Sequence, residues 1–314
     1  MHHTHENNIN TNIVIADLIV PLDDIIFGDL INHGAFGDVY EGWYDNKPVA
    51  IKYSNMGNKN HKTVLSEINA MRVLSHPNII QLYAVAESDN GFYLIMERGE
   101  MDLEHWVRKQ QPIDVLDTLK SIAHAIGYMH SFDPPYIHRD IKPSNILIMA
   151  DGQVKLSDFG LSLHCDIEGR HMSDVGTPSF VAPEVCTHTY DERVDIYSFG
   201  LLVYYLISGG KTVPQEGEQE KYRNNFVSKA LYLLYKQCCE TDPNKRPTLT
   251  NIEARLEKLI KFTKKSSKKE TPKFSFGSFQ ALSYRSSNEK KIVIASSTNE
   301  KKEGIDMDVM SINL

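Results

Sequence analysis

The chain lacks most of what would mark a secreted, membrane-spanning or nucleic-acid-binding protein. Its four cysteines, Cys165, Cys186, Cys238 and Cys239, form no C-x-x-C pair and no His spacing suited to zinc. Free thiols in a reducing compartment are therefore expected. The longest apolar run, GLLVYYLISGG (Gly200 to Gly210), falls well short of the roughly 18 residues that cross a bilayer and reads as a core helix. No transmembrane segment is expected. The start, MHHTHENNIN, is polar and has no signal-peptide apolar core. The expected location is the cytoplasm, with the nucleus left open. A net charge of -7 argues against a general nucleic-acid binder. That charge is unevenly spread. From Lys261 to Leu314 there are 11 Lys and Arg against 6 Asp and Glu, so the tail is +5 and the rest of the chain -12.

What is present is a change of pattern along the chain. Residues 1–25 read as an arm whose one apolar patch, Ile13 to Val20, can pack on the domain. Between Ile26 and Glu97 the runs IIFGDLI, DVYEGWY, PVAIKYS, IIQLYAVA and FYLIME are β-branched or aromatic and are separated by turn residues. One helical stretch interrupts them, with Val64, Leu65, Ile68, Met71 and Leu74 at helical spacing and His76-Pro77 ending the helix. After Glu97 the pattern turns helical. Val115 to Ser131 carries Leu119, Ile122, Ala123, Ile126 and Met129 on one face, and Arg193 to Ser208 is apolar nearly all round. Further helices are expected over Ala230–Cys239 and Asn251–Lys261. From Thr263 the composition predicts a disordered basic tail.

Two motifs carry chemistry. HRDIKPSN, His138 to Asn145, is followed by DFG at Asp158 to Gly160. Together they bring a carboxylate, a lysine, an amide and a second carboxylate onto neighbouring loops. Such a set can position a hydroxyl nucleophile, hold magnesium and neutralise a transferring phosphoryl group. Upstream, INHGAFGDV (Ile31 to Val39) sits between strand patterns. Its Gly34 and Gly37 let backbone amides approach phosphate oxygens. Two glycines three apart would by themselves suggest only a hairpin turn.

These segments in this order resemble the protein kinase family over about residues 26–262, and the family's fold is the one expected. That fold is α+β and bilobal, with a small β-rich N-lobe over residues 26–97 and a larger helical C-lobe over 98–262. The entry sequence FGDLINHGAFGDVYEGWYDNKPVAIK and the strand QLYAVA are most similar to the tyrosine-kinase-like group of serine/threonine kinases. The resemblance implies ATP and Mg2+ as cofactors and a protein substrate. It makes Asp140 the acceptor of the substrate hydroxyl's proton, Lys142 a charge beside the transferring phosphate, and Asn145 and Asp158 the metal ligands. Lys52 of PVAIK would contact the α- and β-phosphates and pair with Glu67. Ile31, Asn32, Gly34, Gly37, Val39, Ala50, Met96, Glu97, Gly99 and Leu147 would surround the nucleotide. Met96 is the gatekeeper position and Glu97 to Gly99 the hinge. His138 and Phe159 resemble apolar spine residues, with Met71 and Leu82 above them. Thr177 in GTPSFVAPE suits a serine/threonine enzyme. Glu184 is expected to pair with Arg246, and Asp195 to anchor the catalytic loop. Arg139 is placed to receive a phosphate from Ser173 or Thr177, added by an upstream kinase or by autophosphorylation.

Two departures from the family pattern bear on function. Asn32 stands where the family has its first loop glycine, and Gly210 to Phe226 is short and polar where substrates often dock. Both lend some weight to an alternative, an ATP-binding pseudokinase scaffold. The full set Lys52, Glu67, Asp140, Asn145 and Asp158 argues for an enzyme, and the GTPSFVAPE segment argues against a small-molecule kinase.

Overall fold

A computed structural model describes residues 15–34, 37–55, 61–164, 178–187, 190–214 and 217–266, with the backbone of three later strands. The small lobe is an antiparallel five-stranded sheet. Its strands are β1 (Ile25–Gly34), β2 (Gly37–Tyr44), β3 (Lys47–Asn55), β4 (Leu82–Ser88) and β5 (Gly91–Glu97), in the order β1-β2-β3-β5-β4. The two-residue turn between β2 and β3 is Asp45-Asn46. Both residues have positive φ, 49° and 57°, as the twist of a tight hairpin requires of such residues. One helix, α1 (His61–Val73), crosses the sheet and buries Val64, Ile68 and Met71 in the main core. It stops three residues before His76.

The segment between α1 and β4 is tied to the other lobe. The Leu156 amide donates to Asn78 O (2.8 Å), the Ile80 amide to Leu156 O (2.9 Å), and Asn78 Nδ2 to Val154 O (2.9 Å). The Ser75 amide donates to the Tyr128 hydroxyl at 3.1 Å, and the His76 ring stacks on the Tyr128 ring.

The large lobe follows through β6 (Met101–Asp102), α2 (Leu103–Arg108) and α3 (Val115–His130). Next come β7 (Tyr136–Ile137), β8 (Ile146–Ile148), β9 (Val154–Leu156) and β10 (Leu163–His164), then α4 (Arg193–Ser208), α5 (Phe226–Cys238) and α6 (Leu249–Ser266). The periodic residues of α3, Leu119, Ile122, Ala123, Ile126 and Met129, are all fully buried. α4 matches the expected limits and ends on Gly209, whose φ of 75° is readily adopted only without a Cβ. α5 begins four residues earlier than expected because Asn225 caps it, its side chain accepting from the Ser228 amide at 2.9 Å.

The last helix passes Phe262, where the tail was expected to begin. α6 runs on to Ser266, with Thr263 Oγ1 donating back to Ile260 O at 2.9 Å. Beyond it, β11 (Ser275–Phe276), β12 (Phe279–Ser286) and β13 (Glu289–Ser296) pair as an antiparallel meander.

Candidate active site

The register of the small sheet gathers five of the predicted nucleotide residues onto one face. Directly opposed residues in an antiparallel pair share a face, as do residues two apart along a strand. Asn32 opposes Val39, Val39 opposes Lys52, and Ala50 opposes Met96. Asn32, Val39, Ala50, Lys52 and Met96 therefore line the same side. Asn32 lies in extended backbone, so this position does not demand the left-handed geometry of glycine. Ile31 is skipped by the register at a bulge and is half exposed. Gly37 is strictly required: its φ is 125°, and a Cβ there would lie 2.0 Å from Tyr53 O. Gly99 lies directly against Leu147, and both carboxylate oxygens of Glu97 accept from Lys155 Nζ at 2.8 Å.

Lys52 is buried although its strand is exposed in part. Its Nζ donates to Glu67 Oε1 (2.6 Å) and Asp158 Oδ1 (2.8 Å). Burial alone would lower the lysine's pKa, yet the two carboxylates outweigh it and hold the ammonium well above its ordinary value. Burial would likewise raise Asp158. The Lys52 charge and hydrogen bond, with His138 and the Gly160 amide, bring it below the usual carboxylate range. Asp158 has φ 64° and Arg139 φ 68°, left-handed values that non-glycine residues hold only under constraint from their surroundings.

That constraint is visible at Asp195 in the first turn of α4. This fully buried carboxylate accepts from the His138 amide (2.8 Å), the Arg139 amide (2.9 Å) and His130 Nε2 (3.0 Å). Burial would push its pKa up, but the His130 contact and the nearby His138 bring it down, so it stays ionised. His138 is oriented in turn. Its Nε2 donates to Ser157 O (3.1 Å), while Nδ1 accepts from the Asp140 amide (3.3 Å). Its ring meets Phe159 edge-on, and Met71 and Leu82 are buried as expected of the spine.

Asp140 is buried, and its Oδ2 accepts from Lys142 Nζ and Asn145 Nδ2, each at 2.8 Å. The same Nδ2 reaches Asp140 O at 2.8 Å, which fixes the amide flip of Asn145. Its Oδ1 is thereby the atom offered elsewhere. A hard oxygen from Asn145 and an ionised Asp158 fit a hard divalent cation. No cluster of three His, Cys, Asp or Glu suited to a metal occurs among the described residues.

The expected structural pair also forms. Arg246 grips both oxygens of Glu184 and donates to Arg193 O and Glu240 O. Arg139 donates to Leu161 O (2.5 Å) and to the Tyr190 hydroxyl (3.1 Å). Ser173 and Thr177 lie outside the described residues. Reasoning from sequence missed Lys155, His130 and Tyr190. Only Lys155 left a signal, since it alternates with buried Val154 and Leu156 and must face away from them.

A bilobal fold with an ion-paired lysine, an HRD loop and a DFG aspartate is the arrangement of a protein kinase domain. The family model for the protein kinase domain matches residues 26–256, and the chain belongs to the protein kinase family. It is 32% identical over 269 residues to a Dictyostelium discoideum protein named a probable serine/threonine-protein kinase (77% of this chain, 29% of that protein). It is 35% identical over 204 residues to the serine/threonine-protein kinase PEPKR2 of Arabidopsis thaliana (62% and 42%). It is 28% identical over 269 residues to the dual specificity protein kinase shkE of Dictyostelium discoideum (77% and 38%). The chain spans less than half the length of each of these relatives. No helix among the described residues is long and apolar enough to cross a membrane.

Proposed function

We propose that this chain is an active serine/threonine protein kinase that transfers the γ-phosphoryl group of ATP to protein hydroxyls. The observation that carries the reading is the closed Lys52–Glu67–Asp158 triad beside Asp140, Lys142 and Asn145. The HRD-x-K form of the catalytic loop and the names of the relatives support serine and threonine as acceptors. The resemblance to the tyrosine-kinase-like group rests on the sequence from Phe27 to Lys52.

In this reading Lys52 draws the α- and β-phosphates into place and Glu67 keeps its ammonium aimed. Asp140 accepts the proton of the substrate hydroxyl and orients that oxygen toward the γ-phosphorus. Lys142 bridges Asp140 and the phosphoryl group as a point charge. Asn145 and Asp158 would hold Mg2+, which when bound neutralises phosphate charge. Arg139 ties the loop to Leu161 and Tyr190, so Ser173 or Thr177 phosphorylated by this or another kinase would compete for its guanidinium.

The test is transfer from labelled ATP with Mg2+, using wild type, Asp158→Asn and Asp140→Asn on a generic basic protein and on the chain itself. Transfer by wild type alone, recovered as phosphoserine and phosphothreonine, is expected. Recovery as phosphotyrosine in comparable amount would make the enzyme dual-specific. Transfer that persists in Asp140→Asn would overturn the role of Asp140 as proton acceptor.

A further inference from the structure

A segment outside the matched kinase domain contacts the helix that carries Glu67. The segment Ile15–Val20 turns back on itself, the Leu18 amide donating to Ile15 O at 2.9 Å. It then lies along the edge of β4. The Val85 amide donates to Leu18 O (2.8 Å), the Val20 amide donates to Val85 O (2.9 Å), and Ile19 forms a parallel bridge with Val85. This covers backbone groups that an edge strand would otherwise present to solvent. The turn buries Ile15 to 3% exposure in the core cluster that contains Val64, Ile68 and Met71 of α1. Asp17 Oδ2 accepts from the Arg72 guanidinium, in the last turn of α1, at 3.0 Å. One short segment thus touches the sheet edge through its backbone, the core through Ile15 and α1 through Asp17.

We infer that Ile15 and Asp17 are positioning residues for the Lys52–Glu67 pair, acting through the placement of α1. A helix of 13 residues is marginal alone and takes its stability from what packs on it. Glu67 lies five residues before Arg72, so a shift of the last turn moves the Glu67 carboxylate away from Lys52 Nζ. The inference rests on the kinase reading for its catalytic consequence but not for its structural one.

Two measurements on the full chain test it: hydrogen exchange of the α1 amides without nucleotide, and kcat and KM for ATP and protein substrate well below the melting temperature. The variants are Ile15→Ala, Asp17→Arg, and Asp17→Arg combined with Arg72→Asp. Ile15→Ala is expected to speed α1 exchange selectively over that of α3 and to lower kcat about five-fold, with KM for protein substrate unchanged. Asp17→Arg is expected to lower kcat about two-fold, the scale of an exposed ion pair, with the double reversal restoring it. Unchanged α1 exchange in Ile15→Ala, or exchange that rises equally in α1 and α3, would overturn the inference. Failure of the double reversal to restore both exchange and kcat would remove Asp17 from it. If wild type itself transfers no phosphate, the kinase reading fails, while the exchange comparison still decides whether the segment holds α1.

Discussion

Replacing Arg246 by lysine keeps a positive charge and removes a fork. In the native fold Arg246 Nη2 donates to Glu184 Oε2 at 2.8 Å, and Nη1 reaches the other oxygen of Glu184. Nη1 also reaches Arg193 O at 2.9 Å, and Nε reaches Glu240 O at 2.9 Å. The guanidinium lies 5.0 Å from the centre of the Tyr197 ring. A lysine offers three donors from one point and cannot serve four acceptor oxygens spread around a plane. The Arg246 side chain is 0% exposed, so water does not replace the lost partners. Removing one member of a buried pair costs about 3–5 kcal/mol, and the retained charge places Arg246→Lys near the lower end, at about 3 kcal/mol. For a domain of this size that lowers Tm by about 6–12 °C. The assay is urea unfolding of wild type, Arg246→Lys, Glu184→Gln and the double variant. Strong coupling is expected, the double variant losing less than the sum of the singles. A loss under about 1 kcal/mol for Arg246→Lys, or additive losses around the cycle, would refute the argument from burial and geometry.

Three further outcomes are expected. Asp114 caps α3, and burial first, with Asp117 beside it, pushes its pKa up to about 6. The folded state then holds a proton that the unfolded state releases, so stability falls as pH rises from about 4 through 6. Asp114→Asn should flatten that slope in unfolding experiments, and an identical slope in both proteins would remove Asp114 as its source. Gly37→Ala forces a Cβ against Tyr53 O at positive φ and should cost about 1–3 kcal/mol while raising KM for ATP; a variant equal to wild type in both would contradict the geometry. Asn32→Gly should change KM for ATP, because Asn32 shares a sheet face with Lys52, and equal constants in the two proteins would place its side chain outside the nucleotide site.

Much of this arrangement is legible in the chain because the determining signals are local. The near-continuous apolar run from Arg193 to Ser208 and the glycine after it mark α4 to the residue. The motif order makes the Lys52–Glu67 and Glu184–Arg246 pairs expectable, and both form. What escaped reading depends on distance along the chain or on brevity. Six residues of α2 are too few to display a period, and the helix owes its start to Asp102, whose side chain accepts from the His105 amide. The Lys155–Glu97 contact joins positions 58 apart that neither periodicity nor any motif couples. Asn32 stands in sequence where the family has a glycine and is an ordinary strand residue in space, with the bulge at Ile31 setting its register.

The hydrogen bonds that join Asn78 and Ile80 to Val154 and Leu156 redraw the mechanical boundary of the molecule. By sequence the small lobe runs unbroken to Glu97. By attachment, the stretch just after α1 rides with the large lobe, so one end of that helix is pinned to the half of the protein it does not belong to. Glu67, a little over two turns before Ser75, therefore meets Lys52 from a helix whose C-terminal end is fastened to the large lobe.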